Sequence, residues 1–162
     1  MRKIWNRPNL AVWSLVTKDG QGNANMNICT YVTAVSMEPK LMTVAVYHQT
    51  KTLENLVQSP TKPVLLQLLS EQLAPVVRVC GQLSGLKIDK IARLKKRYVF
   101  GEQRGLPYFV EAAGFLLLQP ISVVEVAGDH VLYTFSVLEH KNLLDVPLLT
   151  TDILRAQKII RS

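Results

Sequence analysis

The sequence predicts a mainly β protein, a β-barrel with a few helices, and three observations favour this fold class. Short apolar runs of strand length recur along the chain, separated by turn residues. Helical periodicity is confined to a few brief stretches. No repeat, linker or low-complexity tract divides the 162 residues, so we expect residues 1–162 to form a single domain. Many short strands with two or three helices are typical of a closed or partly closed barrel.

The strand signals follow one another from the start of the chain. The predicted strands are residues 10–17, 27–36, 41–47, 64–69, 77–83, 110–118, 121–126 and 131–138. Residues 18–23 form the first turn, where glycine supplies a positive φ. The third run is almost entirely apolar, which indicates a strand covered on both faces. Gln119-Pro120 is expected to break the chain between two strands, and residues 101–107 are expected to be a loop.

Four helical segments are expected between and after these strands. Residues 52–57 are entered through hydroxyl residues and end at Ser59-Pro60, as capping rules favour. Ser70 is expected to cap a helical turn before Pro75. Residues 89–98 and 151–160 complete the set.

Composition and cysteine use limit the classes of protein. Apolar residues make up 48% of the chain, charged residues 19%, and mean hydropathy is +0.15, which is a high apolar content for a soluble monomer. We therefore expect a subunit interface or a ligand crevice. No apolar run approaches the ~20 residues of a spanning helix, and no secretion signal follows the start. Cys29 and Cys80 lack CxxC spacing and are expected to be buried, inert thiols of a cytoplasmic protein.

The formal charge is +7. Binding of a nucleic acid, binding of an anionic small ligand, or a surface that is simply soluble would each explain it. Basic residues are scattered except for Arg93, Lys95, Lys96 and Arg97. These four alternate with apolar residues at roughly helical spacing, which favours a solvated helix face over a nucleic-acid site.

Catalytic motifs of the common enzyme classes are missing from the sequence. There is no GxSxG elbow, P-loop or GxGxxG. His48, His130 and His140 lie too far apart in sequence to indicate a local metal cluster, so no metal is expected. A chain with so few acid–base groups either binds a ligand or relies on a cofactor for its chemistry, and the second fits better.

Two polar segments are candidates for ligand binding. Residues 48–53 place hydroxyls, a lysine and free amides where a strand gives way to a helix, which favours an anion, although Thr50 or Thr52 simply capping the helix is an equal alternative. Residues 25–33 carry amides and hydroxyls that suit a planar heteroaromatic ring, although an edge strand with a wet face explains them equally.

These segments and three others resemble the flavin reductase-like family. The matching motifs are Ala24-Asn25-Met26-Asn27, residues 33–39, residues 50–56, Ser84-Gly85 with Asp89-Lys90, and Gly128-Asp129-His130. The motifs occur in the family's order and cover about residues 8–140.

The resemblance implies an FMN-binding split barrel, with FMN bound at the interface of a homodimer. It places the flavin ring along Asn27, Ile28, Cys29, Thr30 and Tyr31. It places the phosphate in the segment of His48, Thr50, Lys51 and Thr52. Of the remaining candidates, His130 resembles the family's histidine near the flavin and nicotinamide, with a turn histidine as the equal alternative. Arg104 and Tyr108 are candidates to cover the flavin, although surface residues are the commoner case.

The activity implied is a flavin oxidoreductase that transfers hydride from NAD(P)H to flavin, with free flavin as a further small-molecule partner and neither nucleic acid nor membrane. The alternative is a flavin-binding electron carrier without its own NAD(P)H site. A haem-binding relative is a third reading. Fold alone does not separate these functions.

Overall fold

The computed structural model describes residues 2–161. Nine strands are present there: β1 Trp13–Lys18, β2 Ala24–Cys29, β3 Val32–Ser36, β4 Leu41–Tyr47, β5 Val64–Leu68, β6 Phe100–Gln103, β7 Leu106–Phe109, β8 Gly114–Glu125 and β9 His130–Asn142. The α-helices described are α1 Lys51–Gln58, α2 Val77–Cys80, α3 Lys90–Leu94 and α4 Thr151–Ala156, and 3₁₀ turns cover Ile4–Asn6 and Glu71–Val76.

Seven strands form one antiparallel sheet in the order β2-β1-β5-β8-β9-β4-β3. Its two edge strands, β2 and β3, are joined by only Thr30 and Tyr31, so the sheet must curl until its edges meet at one corner. Within the described residues no ladder pairs β2 with β3, and the barrel is therefore only partly closed. The predicted mainly β split barrel is confirmed.

The central strands are buried on both faces. Along β1, Leu15 packs into a cluster inside the curl, whereas Val16 packs on the opposite face against the helices and the β6–β7 hairpin. In β5, Leu66 packs in the cluster inside the curl and Leu65 in the cluster on the opposite face. Alternation of side chains between faces therefore requires apolar residues at every position, which explains the continuous apolar runs.

Several predicted elements are wrong in detail. Residues 27–36 do not form one strand, because the chain leaves β2 at Cys29 and starts β3 at the opposite edge of the sheet. The expected strand at residues 77–83 is helix α2 and a turn. Buried Leu73, Val76, Val77 and Cys80 recur at intervals of three and four residues, which is helical spacing across the continuous turns from residue 71.

The expected loop at residues 101–107 is the β6–β7 hairpin. Arg104 and Gly105 have φ of 49° and 74° and make a two-residue turn, for which positive φ at both positions is the favoured geometry. The expected break at Gln119-Pro120 is a pair of register shifts inside one long strand, β8. The expected helices at residues 89–98 and 151–160 are shorter, ending as α3 and α4 at Leu94 and Ala156.

Candidate functional site

A crevice of about 470 Å³ opens at the corner where β2 gives way to β3. Its sides are the β2 corner, the entry to α1 and the segment from Cys80 to Gly85. We call residues 49–52 the α1 wall, and residues 80–85 with Lys90 the loop wall. The volume lies in the range of small-molecule sites.

The β2 corner contains the predicted ring segment. Asn27, Ile28, Cys29, Thr30 and Tyr31 all line the crevice. The Cys29 Sγ lies 3.5 Å from the Asn27 Oδ1 atom, and burial raises the pKa of Cys29 to about 12. This thiol is therefore protonated and neutral near pH 7, as is the free, buried Cys80 on the loop wall, whose pKa burial also raises to about 12.

The α1 wall uses its side chains within the protein. The Thr50 hydroxyl accepts a hydrogen bond from the Leu53 N–H and donates one to the Tyr47 carbonyl. Thr50 therefore caps the helix, which is one of the two roles that the sequence offers for this segment, the other being an anion site. The buried Thr52 hydroxyl accepts from the Asn25 amide at 3.1 Å. The Lys51 ammonium contacts the Glu54 carboxylate. The first-turn amides of Lys51 and Thr52 have no intrahelical acceptor.

His48 does not line the crevice. Its Nε2 atom lies 3.9 Å from a Glu125 carboxylate oxygen, and its backbone N–H donates to the Asp129 carbonyl. Because successive side chains of an extended chain point to opposite sides, Tyr47 faces the crevice and His48 faces away. The structure therefore does not bring the His48 side chain together with Thr50, Lys51 and Thr52 in the crevice.

His130 stands at the mouth of the crevice. Its ring centroid lies 5.5 Å from that of Tyr31 and 5.4 Å from that of Tyr47, the residue opposite it in the β4–β9 ladder. Its Nδ1 atom lies 2.6 Å from the Asp129 carboxylate, and this hydrogen bond lowers the pKa of Asp129. His130 is thus held between the two tyrosine rings and the Asp129 carboxylate. The other two candidates lie away from the crevice, where Arg104 pairs with Glu139 and Tyr108 packs on Phe115.

The loop wall supplies Lys90, which the sequence analysis matched only within the Asp89-Lys90 motif and did not assign to the site. Only 6% of it is exposed, its Nζ atom donates to the Cys80 carbonyl at 2.6 Å, and within the described residues no carboxylate pairs with it. Burial lowers the pKa of Lys90. A weak signal existed, because Lys90 lies four residues before Leu94 on the buried side of α3.

Gly85 brings the two walls together. A Cβ atom at Gly85 would lie 2.1 Å from the Asn25 Oδ1 atom and 3.1 Å from the Lys51 Cβ atom. Asn25 also bonds to Thr52, so the glycine packs directly against the α1 wall. The Ser84-Gly85 pair of the sequence therefore has a steric role at this contact.

A second cavity, of about 590 Å³, lies between Trp13, Phe115 and residues 140–148. It is larger than the crevice, but none of the predicted site residues lines it. Of these two cavities, the crevice is the one that combines a buried ammonium, orphan helix amides and a histidine.

Comparison with known families agrees with this geometry. The family model described as "Flavin reductase like domain" matches residues 9–152. The chain belongs to this family. A search of curated proteins finds no match. Within the described residues, no helix is long and apolar enough to cross a membrane.

Solved structures of the same fold include flavin reductases. The chain is 20% identical to a Sinorhizobium meliloti protein described as an oxidoreductase, with TM-score 0.77 over 90% of this chain, and spans about half (48%) of that protein's length. It is 19% identical to the styrene monooxygenase flavin reductase of Pseudomonas putida S12, with TM-score 0.72 over 88% of this chain and 86% of that one.

A third structure is an NADH:FAD oxidoreductase of Streptomyces globisporus with NAD and FAD fragments. It is 17% identical, with TM-score 0.77 over 92% of this chain and 84% of that one. At these identities, the flavin reductase-like chain shares the fold of these proteins, and its site must be argued from its own residues.

Proposed function

We propose that this chain binds FMN in the crevice and is an oxidoreductase that moves electrons from NAD(P)H to flavin. The observation that carries the proposal is the buried Lys90 ammonium, which lines the same crevice as the start of α1 in a flavin reductase-like fold. An ammonium has three donors, and the Cys80 carbonyl occupies one of them. A phosphate group fits the remaining donors.

The phosphate site is formed by both walls. The N–H groups of Lys51 and Thr52 lie at the positive end of α1, and Lys90 supplies a full charge from the loop wall. Lys51 supplies a second ammonium if its side chain turns from Glu54. Thr50 and Thr52 act through the backbone and the cap, since their hydroxyls are already bonded.

The ring site is the β2 corner. Ile28 and the neutral Cys29 offer an apolar wall, and Asn27 and Thr30 supply polar groups at its edge. A bound flavin would supply the hydride-accepting chemistry, as cofactors do in such sites. The protein's part is to bind, to orient and to keep charged side chains off the ring, which agrees with its small number of acid–base groups.

His130 is proposed to contact the nicotinamide or the flavin at the crevice mouth. Tyr31, Tyr47 and the Asp129 carboxylate fix its ring, so its Nε2 atom is available to a ligand.

The chain is further proposed to form a homodimer through the outer half of β8. Ile121, Val123 and Val124 of β8 and Val126 just after it are each about half exposed. Among the described residues, β8 beyond Leu118 pairs with β9 only, so its other edge is open. An open apolar edge is normally covered, and a second copy of the chain would cover it. Residues 1–162 are proposed to be one domain, because both core clusters share β1 and β5.

The test is an absorption spectrum of the purified protein, alone and with added FMN, before and after anaerobic addition of NADH or NADPH. We expect stoichiometric FMN binding and rapid bleaching by one nicotinamide. FMN that binds but stays oxidised would show a carrier reduced by another protein. A protein that binds no FMN would overturn the proposal.

A further inference from the structure

The second cavity lies at the end of the curled sheet that α1 does not close. At one end of β1, the Asn55 amide of α1 donates to the Thr17 hydroxyl at 3.0 Å, so the helix covers the curl there. At the other end of β1, Trp13 lines the cavity of about 590 Å³, which we call the barrel-end cavity. No described residue lines both this cavity and the crevice, so the two are separate spaces.

The base of the barrel-end cavity is a row of paired residues. Trp13 lies opposite Leu68 in the β1–β5 ladder. Leu68 lies opposite Gly114 of β8, which in turn lies opposite Asn142 of β9. Residues paired across a ladder share a face of the sheet, and Trp13 packs against the cluster inside the curl. The row therefore lies on the inner face.

Gly114 leaves a gap in this row. A Cβ atom at Gly114 would lie 2.5 Å from the Lys141 carbonyl oxygen, so the close approach of the two strands excludes a side chain there. The inner face consequently has nothing between the side chains of Leu68 and Asn142. This gap accounts for the space at the base of the cavity.

Backbone hydrogen bonds fix the side of the cavity formed by residues 143–149. The Leu143 N–H donates to the Ala113 carbonyl at 2.9 Å, at the start of this segment. At its end, the Leu149 N–H donates to the Leu69 carbonyl, also at 2.9 Å. The cavity is therefore formed in the protein without a ligand, as small-molecule sites usually are.

The cavity combines apolar surface with polar groups that the protein does not use. The Trp13 ring and Leu116 form the apolar part, and both pack on the cluster inside the curl. His140, opposite Leu116 in the ladder, and Asn142 add an imidazole and a carboxamide. Within residues 2–161, neither side chain has a hydrogen-bond or ion-pair partner. Such a lining suits an aromatic ring that carries a hydrogen-bonding substituent.

The charges around the cavity favour a neutral ligand. Asp145 is exposed on its lining and, among the described residues, has no ion-pair partner. Lys141 lies opposite Phe115, which packs in the cluster on the other face of the sheet. The Lys141 ammonium therefore points away from the inner face and does not balance Asp145. A carboxylate ligand would meet an uncompensated negative charge.

We infer that the barrel-end cavity binds a small neutral phenol. Its ring lies against Trp13 and Leu116 above the gap at Gly114, and its hydroxyl bonds to Asn142. In the β1–β2 ladder Trp13 is paired with Cys29, which lines the crevice. The phenol thus lies one strand away from the proposed flavin site without occupying it. The inference does not depend on the proposed function.

Trp13 itself reports binding. The chain has two tryptophans, and the other, Trp5, is 69% exposed near the start of the chain. In the full chain with Trp5→Phe, all tryptophan fluorescence therefore comes from Trp13. We expect p-cresol to change this fluorescence saturably. Toluene lacks the hydroxyl and p-hydroxybenzoate is anionic, so each should bind about fivefold more weakly or less.

Asn142→Leu in the same background removes the carboxamide and keeps the bulk. It should weaken p-cresol binding about fivefold and leave toluene binding unchanged. Asn6→Leu is the matched control, because Asn6 is equally an exposed asparagine and does not line the cavity. An unsaturable response to p-cresol, or equal p-cresol affinity in the two variants, would overturn the inference.

Repeating the p-cresol titration with saturating FMN separates the two sites. An affinity for p-cresol within about twofold of that without FMN supports a site outside the crevice. Competition between the two would place the phenol in the crevice and overturn this inference, while leaving the proposed function intact. A protein that does not bind FMN would overturn the proposed function, and the Trp13 titration would still decide the phenol site.

Discussion

The two walls of the crevice differ in how their polar groups are used. On the α1 wall, the hydroxyls of Thr50 and Thr52 and the ammonium of Lys51 all have partners inside the protein. On the loop wall, the buried Lys90 ammonium has a single partner, a backbone carbonyl. A buried charge with unused donors is unfavourable without a ligand, whereas side chains that already have partners are stable without one.

This difference separates a sequence pattern that serves the helix, on the α1 wall, from a group that is proposed to serve a ligand, on the loop wall. Hydroxyl and lysine residues before a helix are what a stable N-terminus needs in any protein. Within the described residues, the Lys90 ammonium donates only to the Cys80 carbonyl at the end of α2, and we propose that its remaining donors bind an anion. We therefore expect the loop wall, rather than the α1 wall, to dominate FMN affinity.

The largest effect is expected for Lys90→Met. Loss of a charge-assisted hydrogen bond to phosphate corresponds to about 1.5–3 kcal/mol, or about 10–100-fold weaker FMN binding by fluorescence titration. Lys95→Met is the matched control, because Lys95 is exposed and lines no part of the crevice. Far-UV circular dichroism and thermal melting report whether the variant is folded. A folded variant with wild-type FMN affinity would contradict the assignment.

The pH dependence of binding gives a second readout for Lys90. Burial lowers its pKa below the ordinary 10.5, and only the charged form attracts phosphate. FMN affinity should therefore fall as pH rises through the alkaline range below 10.5, earlier than an exposed lysine would allow. The same titration of Lys90→Met should lack this fall.

The next effect is expected for Gly85→Ala. The added methyl group would overlap the Asn25 side chain and press on Lys51, so both walls must shift. We expect a loss of about 1–3 kcal/mol in the free energy of unfolding, and about tenfold weaker FMN binding. Gly20→Ala is the control, since no atom lies within 4 Å of its Cβ position. Equal FMN affinity in both variants would show that the contact between the walls does not shape the site.

A smaller effect is expected for Lys51→Met. Glu54 already neutralises this ammonium in the free protein, so its removal should weaken FMN binding by about fivefold, and the same change at Lys95 should not. The order Lys90, Lys51, Lys95 is the prediction. A loss at Lys51 that exceeds the loss at Lys90 would reverse the comparison of the two walls.

The sequence predicted the α1 wall because its signals are local. Thr50 directly precedes a helical run. Lys90 could not be found in this way, because it lines the same cavity as Lys51 and Asn25 only through folding, from 39 and 65 residues further along the chain. Its burial is a tertiary property.

The secondary structure likewise could be predicted where local sequence signals decide it and not where tertiary packing does. The predicted bounds of β4 match the observed ones, since its run is almost entirely apolar and ends in turn residues. The region after Pro75 was read as a strand, because Val77 and Val79 favour strands locally, whereas packing of Leu73, Val76 and Cys80 on one side stabilises a helix. Tertiary packing outweighed local preference there.

The least effect on binding, but a distinct one on stability, is expected for the two thiols, Cys29 in the β2 corner and Cys80 in the loop wall. Burial raises the pKa of Cys29 and of Cys80 from 9.0 to about 12. Between these values the unfolded chain loses protons that the folded chain keeps. Stability is therefore fully present below pH 9 and falls as pH rises, by up to about 1.4 kcal/mol per pH unit for each thiol.

Urea unfolding at pH 8 and pH 10, under reducing conditions, measures this fall. Cys29→Ala and Cys80→Ala each remove one titrating group, so each should lessen the fall between the two pH values by about 1.4 kcal/mol, whatever constant cost the substitution adds. Lys90 lies near Cys80 and lowers its pKa, but the larger effect of burial raises it. An unchanged pH dependence in Cys80→Ala would mean that the loop wall is open to water, and Lys90 would then lose the burial from which its role is argued.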